Sequence, residues 1–595
     1  MSAGRRDRWS TSGCRPMIAA ALIAGVSIAT PVVVEAASRP VVRGQGGAVV
    51  SDERLATDAG LTILARGGNA VDAAVATALA MVVVGPEAGN LGGGGFAVVR
   101  MAGVTDGPTF LDFREVAPAA ASRDMYLGED GQPVAEKSWI GPLAAGVPGS
   151  PDGLFTLHRR YGKLPFADVV EPARKLAADG FALSRRTHDS LVEERELLAR
   201  FPESAAVWLP GGEPVPAGTL KRLPNLARTL QRYAAEGPSA VTEGSIAAAI
   251  EAASTRHGGV LTAADLAAYE PVWREPVRFE AFGWQVASAN LPSSGGILLG
   301  ASFQMLERLG VGHHESHSAD RAHLLAEVWR RAYADRYLLG DPATTAATAD
   351  DLLAEAWLGE RVTSFSPATA TSSDAVRLWS DIDAPEVAES VDTTHLSVID
   401  ADGSVVALTT TLNGLFGGGL WVPEAGYFLN NEMDDFAAAP GQPNFYGLVQ
   451  GEANAVAPGK RMLSSMSPTI AWKTDGAGRT VEVVSAGGRG GSRIPTSTMQ
   501  IFLGVWVDDV DLQAAVDRPR VHHQWRPDTL FHEPDALSVE SRAALVVRGH
   551  ALDVIDSIAQ AHAVRFVVED GIRWCEAAPD PRGGGGWGGV VEPLY

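Results

Sequence analysis

Hydrophobic periodicity divides the chain into a helix-rich first part and a strand-rich last part. Residues 55–66 carry apolar side chains along one side and end at a glycine pair, a pattern that predicts a helix. Residues 71–84 are almost wholly apolar, and their length favours a buried helix. Helical patterns with loops continue from residue 153 to about residue 269, and residues 297–309 and 319–339 predict two more helices.

Beyond residue 390 the pattern becomes an alternation of apolar and polar residues, which is typical of strands. Residues 395–400 and 405–412 both alternate, and the Asp402-Gly403 pair between them is a hairpin signal. Further strands are predicted at residues 96–100, 109–115, 273–286 and 481–485. Arg114 is expected to point outward at the end of its strand. The patterns therefore predict an α+β chain.

A glycine-rich run, Gly89-Asn90-Leu91-Gly92-Gly93-Gly94-Gly95-Phe96, separates the buried helix from the first of these strands. It lacks the glycine spacing and the Lys-Ser/Thr ending of a phosphate-binding loop. We interpret it instead as a close approach of backbones between a helix and a sheet.

The composition indicates a globular protein and excludes some classes of partner. The 595 residues are 46% hydrophobic and 20% charged, which is typical of a large packed core. The formal net charge of -22 argues against nucleic-acid binding, which needs a basic face. The negative charge is consistent with a soluble secreted protein.

The first residues resemble an export signal. Arg5, Arg6, Arg8 and Arg15 precede an apolar stretch at residues 17–34, and small residues allow cleavage before Ala37. We therefore expect residues 1–36 to be a signal peptide and the protein to be periplasmic or extracellular. The alternative is an uncleaved membrane anchor, because the apolar stretch approaches spanning length.

No metal or cofactor is predicted. Cys14 would leave with the signal peptide, so Cys575 would be alone, without an internal disulfide or a cysteine metal site. His313, His314 and His317 lie close together, but they lack the spacing of a zinc motif and sit in a polar segment. We expect that segment to be a solvated loop that begins a helix.

The junction between Asp392 and Thr393 is where a loose polar run meets the first strand of the predicted hairpin. A threonine hydroxyl needs a base, and a threonine at a chain terminus has one in its own α-amine. Attack of the Thr393 hydroxyl on the preceding carbonyl, followed by hydrolysis, would release that amine. The chemistry permits this cleavage and does not require it, since the same residues also fit an ordinary strand cap.

Several motifs, in order along almost the whole chain, resemble the γ-glutamyltransferase (γ-glutamyl transpeptidase) family. Upstream of the junction they are Arg66-Gly67-Gly68-Asn69-Ala70-Val71-Asp72-Ala73-Ala74, Gly92–Phe96, Asp112-Phe113-Arg114-Glu115 and Pro292-Ser293-Ser294-Gly295-Gly296. Downstream they are Thr393-Thr394-His395, Thr411-Leu412-Asn413, Asn430-Asn431-Glu432-Met433-Asp434-Asp435-Phe436, Leu463-Ser464-Ser465-Met466-Ser467-Pro468-Thr469, Gly490-Gly491-Ser492-Arg493-Ile494 and His522-His523-Gln524-Trp525.

The resemblance implies the αββα sandwich of N-terminal nucleophile hydrolases and a precursor that cleaves itself. A large subunit, residues 37–392, and a small subunit, residues 393–595, would remain associated as a heterodimer in one domain. The implied reaction transfers a γ-glutamyl group from glutathione or a similar amide to water, an amino acid or a peptide.

The resemblance also implies catalytic roles. Thr393 would attack the γ-carbonyl to form an acyl-enzyme, and the Thr411 hydroxyl would orient it. The backbone N–H groups of Gly490 and Gly491 would bind the oxyanion. A second glycine pair, Gly487-Gly488, leaves this assignment open to an alternative. Tyr446 would be the gate of a lid over the site.

The residues implied to bind the γ-glutamyl end match its two charges. A cation with two serines would bind the α-carboxylate, and an amide with two acids would bind the α-ammonium. The cation is Arg114 and the serines are Ser464 and Ser465. The amide is Asn413 and the acids are Glu432 and Asp435. The run Arg582-Gly583-Gly584-Gly585-Gly586 departs from the usual sequence of the family at that position.

The leading hypothesis is thus an exported, self-processed γ-glutamyl hydrolase/transferase. One alternative is an acylase of the same fold that acts on another acyl amide, such as a glutaryl-cephalosporin or poly-γ-glutamate. Another is an unprocessed, non-catalytic relative that binds amino acids or serves as a scaffold.

Overall fold

The structure is a computed structural model that describes residues 40–104, 107–379, 393–440 and 451–592. The predicted signal peptide, Asp392 and Tyr446 lie outside these residues. No helix of the described residues has the length and apolar character needed to cross a membrane.

Two antiparallel seven-stranded sheets form the centre of the fold. Sheet I consists, in spatial order, of β21 (Trp587–Val590), β2 (Gly47–Ser51), β10 (Thr394–Asp400), β11 (Val405–Thr411), β3 (Gly94–Arg100), β4 (Thr109–Phe113) and β7 (Val272–Arg274). Sheet II consists of β1 (Val42–Gly44), β20 (Ile572–Ala578), β19 (Gln560–Glu569), β15 (Thr480–Arg489), β14 (Thr469–Thr474), β9 (Trp284–Ser288) and β8 (Val277–Ala281).

The remaining strands form small peripheral sheets. They are β5 (Phe181–Ala182) with β6 (Leu220–Lys221), β12 (Trp421–Val422) with β13 (Tyr427–Phe428), and the set β16 (Val521–His522), β17 (Leu530–His532) and β18 (Leu552–Val554). Only in this last set, among the described strands, does a pair run parallel, β17 with β18.

Helices cover both central sheets and fill the long segment between β4 and β7. The first twelve are α1 (Arg54–Ala65), α2 (Ala70–Val84), α3 (Ala135–Trp139), α4 (Ser150–Tyr161), α5 (Phe166–Asp179), α6 (Arg185–Glu193), α7 (Arg195–Ala199), α8 (Pro202–Trp208), α9 (Pro224–Glu236), α10 (Ser239–Thr242), α11 (Gly244–Arg256) and α12 (Ala263–Ala267). The later ones are α13 (Gly295–Arg308), α14 (Ala319–Arg336), α15 (Ala349–Leu352), α16 (Glu355–Thr363), α17 (Arg493–Trp506), α18 (Leu512–Asp517) and α19 (Val539–Arg548).

Three hydrophobic layers show how the sheets and helices stack. A central layer, which includes Val50 and Ile399 of sheet I and Ile470 and Val564 of sheet II, lies between the two sheets. A second layer packs the outer face of sheet I against α1, α2 and α4. A third packs the outer face of sheet II against α13, α17 and α18, and α14 packs on α13. The layers are therefore helix, sheet, sheet, helix, the architecture that the family resemblance implied.

The hairpin of β10 and β11 pairs from Thr394 opposite Thr410 to Ile399 opposite Val405, as the Asp402-Gly403 signal predicted. The alternation of polar and apolar residues along β10 does not reflect exposure to water, because every residue of this strand is buried. The polar side chains of His395 and Ser397 face sheet II, where Ser397 Oγ lies 2.9 Å from Ser485 Oγ of β15. A polar contact between the sheets thus produces the alternating pattern.

Both central sheets combine strands from the two sides of Thr393. In sheet I, β10 and β11 lie between β2 and β3, which precede Thr393 in the chain. In sheet II, β14 pairs with the earlier strand β9. The parts of the chain before and after the junction are therefore interleaved.

The glycine-rich run before β3 allows close backbone packing, as the sequence indicated. The packing partners are strands and not the expected pair of a helix and a sheet. A Cβ atom on Gly92 would lie 2.1 Å from the carbonyl oxygen of Phe428, and one on Gly93 would lie 2.0 Å from that of Thr411. No side chain fits at these positions. The approach brings the start of β3 against the end of β11, where Thr411 lies.

Gly93→Ala should lower the free energy of unfolding by about 3 kcal/mol, because the added methyl group must displace the backbone of Thr411. Gly359→Ala is the matched control: it adds the same group inside α16, where no atom lies within 4 Å of the new Cβ. That change should raise stability by up to about 1 kcal/mol. Thermal unfolding followed by circular dichroism measures both, and equal melting temperatures for the two variants would contradict the close approach.

Candidate active site

Thr393 lies directly before β10, and its side chain is 5% exposed. The strand register places it across from Thr411, the last residue of β11, and the two hydroxyl oxygens are 3.5 Å apart. The Thr411 hydroxyl in turn accepts a hydrogen bond of 2.8 Å from the backbone N–H of Asn413. The structure therefore brings the predicted nucleophile and its predicted orienting residue together.

A line of contacts leads from these threonines to the predicted substrate-binding acids. Asn413 has a positive φ of 73°, which turns the chain after β11. Its side-chain Nδ2 donates to the carbonyl of Asn431 at 3.1 Å. Asn431 precedes the 3₁₀ helix Glu432–Asp435, which carries the two acids.

Arg114 points inward, which corrects the expectation that it points outward. The side chain is 1% exposed, and its guanidinium donates to Glu432 Oε1 and to Asp435 Oδ2. The chain turns inward after β4 because the Asp112 carboxylate accepts the backbone N–H of Arg114 at 3.0 Å. The alternation of side-chain directions along a strand does not apply to Arg114, because β4 ends at Phe113.

Glu115 is a third carboxylate beside the same guanidinium, and the sequence reasoning assigned it no role. It is fully buried, and its Oε2 lies 3.8 Å from Arg114 Nη1. We call Arg114, Glu115, Glu432 and Asp435 the Arg114 cluster. It contains one cation for three acidic groups.

The imbalance of charge in the Arg114 cluster changes the ionisation of its acids. Burial raises the pKa of Glu115 to about 7, even though the charge of Arg114 opposes the shift. Burial also raises the pKa of Glu432, to well above its ordinary value. Burial alone would lower the pKa of Arg114, but the surrounding carboxylates outweigh burial, and the net pKa is raised. The guanidinium therefore stays charged. Glu115 and Glu432 are therefore protonated more readily than ordinary glutamates.

Ser464 and Ser465 lie in the segment before β14. Residues of the Pro292–Gly296 motif hold this segment in place. The carbonyl of Ser464 accepts hydrogen bonds from both the backbone N–H and the hydroxyl of Ser294, each 2.8 Å long. A Cβ on Gly295 would lie 2.3 Å from Ser467 Oγ, so this packing requires glycine. The Ser465 hydroxyl is buried and has no hydrogen-bond partner among the described residues.

Gly490 and Gly491 follow the end of β15 with φ angles of 136° and 55°, which favour glycine. They directly precede α17, whose helix dipole places positive potential at this end. Gly487 and Gly488, in contrast, lie within β15 and pair with β19. This geometry favours Gly490 and Gly491 as the oxyanion donors.

His395 explains why glycine is needed at position 487. A Cβ on Gly487 would lie 2.4 Å from the His395 ring. The ring nitrogens lie 2.8 Å from Thr409 Oγ1 and 2.9 Å from Ser397 Oγ. Burial lowers the pKa of His395 to about 3, so the ring is neutral. His395 is thus a buried hydrogen-bonding residue of β10 itself.

The segment after the candidate oxyanion glycines is held by residues of the His522–Trp525 motif, a role that the sequence did not reveal. Gln524 Oε1 accepts from the Ser492 hydroxyl at 2.6 Å and lies 2.7 Å from His522 Nε2. Tyr333 donates to the carbonyl of Ser492. These contacts fix the start of α17.

One group of described residues has the composition of a metal site. Ligand atoms of His323, Glu327 and His550 lie within 4.8 Å of one another. Glu327, however, already binds the guanidinium groups of Arg330 and Arg331. His323 Nδ1 lies 2.7 Å from His550 Nε2, a hydrogen-bonding distance. We interpret the group as a buried hydrogen-bond network, because two arginines disfavour a bound cation.

Comparison with known proteins identifies the family. A sequence profile described as gamma-glutamyltranspeptidase matches residues 56–590. The chain belongs to the gamma-glutamyltranspeptidase family. The glutathione hydrolase proenzyme of Escherichia coli (strain K12) is 41% identical over 528 residues, covering 87% of this chain and 88% of that protein. That of Pseudomonas aeruginosa is 40% identical over 553 residues, covering 92% and 95%.

A solved structure agrees on the fold of this family member. The cephalosporin acylase from Bacillus halodurans superposes with a TM-score of 0.79 at 24% sequence identity, covering 96% of this chain and 100% of that one. The predicted fold class and enzyme class are confirmed. The roles predicted for individual site residues remain predictions.

Glu115→Gln should flatten the pH dependence of stability. A carboxyl with a raised pKa in the folded state stabilises the fold fully below pH 4.5, and that stabilisation is lost as the pH rises through about 7. Removing one such group should reduce the slope by up to about 1.4 kcal/mol per pH unit in this window. Chemical unfolding between pH 4.5 and 8, with Thr393→Ala in both proteins to keep the chain whole, measures it. An unchanged slope would contradict the protonation of Glu115.

Proposed function

We propose that this protein is a self-processed γ-glutamyl hydrolase/transferase that acts on glutathione and other γ-glutamyl amides. The observation that carries the proposal is the position of Thr393 beside Thr411 at the start of a central strand, connected through Asn413 and Asn431 to the Arg114 cluster. A nucleophile and a charged recognition group are thus held in one framework.

Maturation begins with Thr393. Its Oγ attacks the carbonyl carbon of Asp392, the C–N bond between the two residues breaks, and the acyl group passes from nitrogen to oxygen. Water then hydrolyses the ester, which releases the Asp392 carboxylate and leaves Thr393 with a free hydroxyl and a free α-amine. The new amine has an ordinary pKa of about 8, suitable for a base near neutral pH.

The same atoms then carry out acyl transfer. The α-amine accepts the hydroxyl proton of Thr393 as Oγ attacks the γ-carbonyl of the substrate. The N–H groups of Gly490 and Gly491, at the N-terminal end of α17, stabilise the oxyanion. The leaving amine takes the proton, and water or an acceptor amino acid or peptide attacks the acyl-enzyme in a second, similar step.

The Arg114 cluster supports a γ-glutamyl substrate over a glutaryl one. A γ-glutamyl end carries an α-carboxylate for Arg114 and an α-ammonium for Glu432 and Asp435, so both halves of the cluster gain a partner. A glutaryl end carries only the carboxylate, so it offers Glu432 and Asp435 no ammonium partner. An acylase for glutaryl or other acyl amides is therefore the less favoured function.

We also propose the sequence-based boundaries for the mature protein. Export with removal of residues 1–36 would leave a large subunit of residues 37–392 and a small subunit of residues 393–595. The interleaved strands of both central sheets support their association as a heterodimer after cleavage.

Purified wild-type protein should give two bands on denaturing electrophoresis, and N-terminal sequencing should find the chains beginning at Ala37 and Thr393. Thr393→Ala should remain a single uncut chain. The wild type should hydrolyse a γ-glutamyl anilide at least about tenfold faster than a glutaryl anilide, since one ion pair with the ammonium is worth more than about 1.4 kcal/mol. A single full-length wild-type band would reject self-processing, and a preference for the glutaryl substrate would reject the proposed donor.

Asp435→Asn should raise the KM for the γ-glutamyl anilide by about 10- to 100-fold, because a charge-assisted hydrogen bond to the ammonium is lost. The glutaryl anilide should lose no activity. Asp434→Asn is the matched control: it removes the neighbouring carboxylate, which accepts from Ser138 Oγ at 2.5 Å. Steady-state kinetics on both substrates gives the specificity ratios. Equal effects of the two variants on this ratio would contradict the role of Asp435.

A further inference from the structure

The first residue of β10 is held from the side by a carboxylate. The Thr394 hydroxyl donates to Asp52 Oδ2 at 2.7 Å. Backbone pairing between β10 and β2 runs only from Asp400 opposite Gly47 to Ser397 opposite Val50. Beyond Ser397, towards the nucleophile, the Asp52 side chain makes the next lateral contact between these two segments.

Asp52 is itself fixed by two buried partners. Arg186 Nη2 lies 3.1 Å from Oδ2, and His562 Nε2 lies 2.7 Å from Oδ1. His562 Nδ1 accepts the backbone N–H of Asp580 at 3.0 Å, so the ring proton is on Nε2 and is donated to Asp52. We call Asp52, Arg186, His562 and Thr394 the Asp52 network.

Asp52 remains ionised in this setting. Burial raises the pKa of its carboxyl group, but the charge of Arg186 and the hydrogen bond from His562 outweigh burial and hold that pKa well below its ordinary value. A charged acceptor makes the hydrogen bond from Thr394 stronger than one between neutral groups. The hydrogen bond from Thr394 to Asp52 is therefore a strong contact at the start of β10.

The glycine-rich run near the C-terminus, which departs from the usual family sequence, packs against the same network. A Cβ on Gly586 would lie 2.1 Å from Cε1 of His562. A Cβ on Gly584 would lie 3.3 Å from the Arg186 side chain, and its φ of 90° favours glycine as well. The run thus encloses Arg186 and His562.

We propose that Asp52 is a positioning residue for the nucleophile, acting through the hydroxyl of Thr394. The inference rests on the proposed function, in which Thr393 Oγ must reach first the Asp392 carbonyl and later the substrate. Thr393 is one residue from the held hydroxyl, so the direction in which it leaves the strand depends on that contact. An error of 1 Å in such a position can cost about 100-fold in rate.

The test compares three threonine variants. Thr394→Val keeps the shape and removes the hydroxyl, and Thr394→Ser restores the hydroxyl. Thr57→Val is the matched control: Thr57 is as buried, and its hydroxyl donates to the carbonyl of Trp587 at 3.1 Å and lies 2.8 Å from Ser51 Oγ. Thr57 lies in α1, and through Ser51 it contacts the same end of β2.

Self-cleavage is followed by electrophoresis on freshly folded precursor, with the folded fraction taken from circular dichroism. We expect Thr394→Val to slow cleavage by about 10- to 100-fold and, once cut, to lower kcat by a similar factor with KM within about threefold. Thr394→Ser and Thr57→Val should both cleave within about threefold of the wild type. Slow cleavage in Thr57→Val as well would show a merely structural effect and overturn the inference.

Asp52→Asn supplies a second test if Thr394→Val folds poorly. The amide retains the size of the side chain but loses the charge that both Thr394 and His562 contact, and cleavage should again slow by about tenfold or more. Cleavage of Asp52→Asn at the wild-type rate, per folded molecule, would overturn the inference. Failure of the wild type itself to cleave would instead reject the proposed function, so the two failures are distinguishable.

Discussion

Backbone pairing of β10 with β11 and β2 determines where the candidate chemistry takes place. The strand lies in the middle of sheet I, and both of its faces are buried, one under α2 and the other against sheet II. Thr393 is the residue just before this strand, and Thr411 ends its partner. A group placed this way has few ways to move, which is the condition that a preorganised active site needs. The glycines at the start of β3 allow the backbone approach on which the end of β11 depends.

The buried charges add recognition to this rigid framework. Enclosing one guanidinium among three acids is costly unless partners compensate the charge, and here protonation of Glu115 and Glu432 does so in part. A zwitterionic ligand offers a different compensation, since it supplies one charge of each sign. The cluster is thus better suited to a small charged ligand than to a neutral acyl chain. Recognition by exchange of ion pairs also explains why most of this site can be buried.

Local signals predicted much of the fold, and distant contacts account for what they missed. The helices at α1, α2, α13 and α14 and the hairpin of β10 with β11 were predicted, because periodicity and turn residues are properties of short segments. The direction of Arg114 was predicted wrongly, since its partners Glu432 and Asp435 lie 318 and 321 residues away. Asp52 was missed for the same reason, at 342 residues from Thr394. Thr393 itself was indicated by chemistry alone only as one option, and the ordered motifs were needed to select it.

The interleaving of strands has a consequence for the molecularity of folding. The uncut chain folds in a first-order process, with both sheets assembled from one molecule. Once the chain is divided at Thr393, the same sheets can be rebuilt only by an encounter of two polypeptides, neither of which holds a complete sheet. The unfolding equilibrium of the proposed cleaved protein would then depend on concentration, and the rate at which the strands separate would set its lifetime.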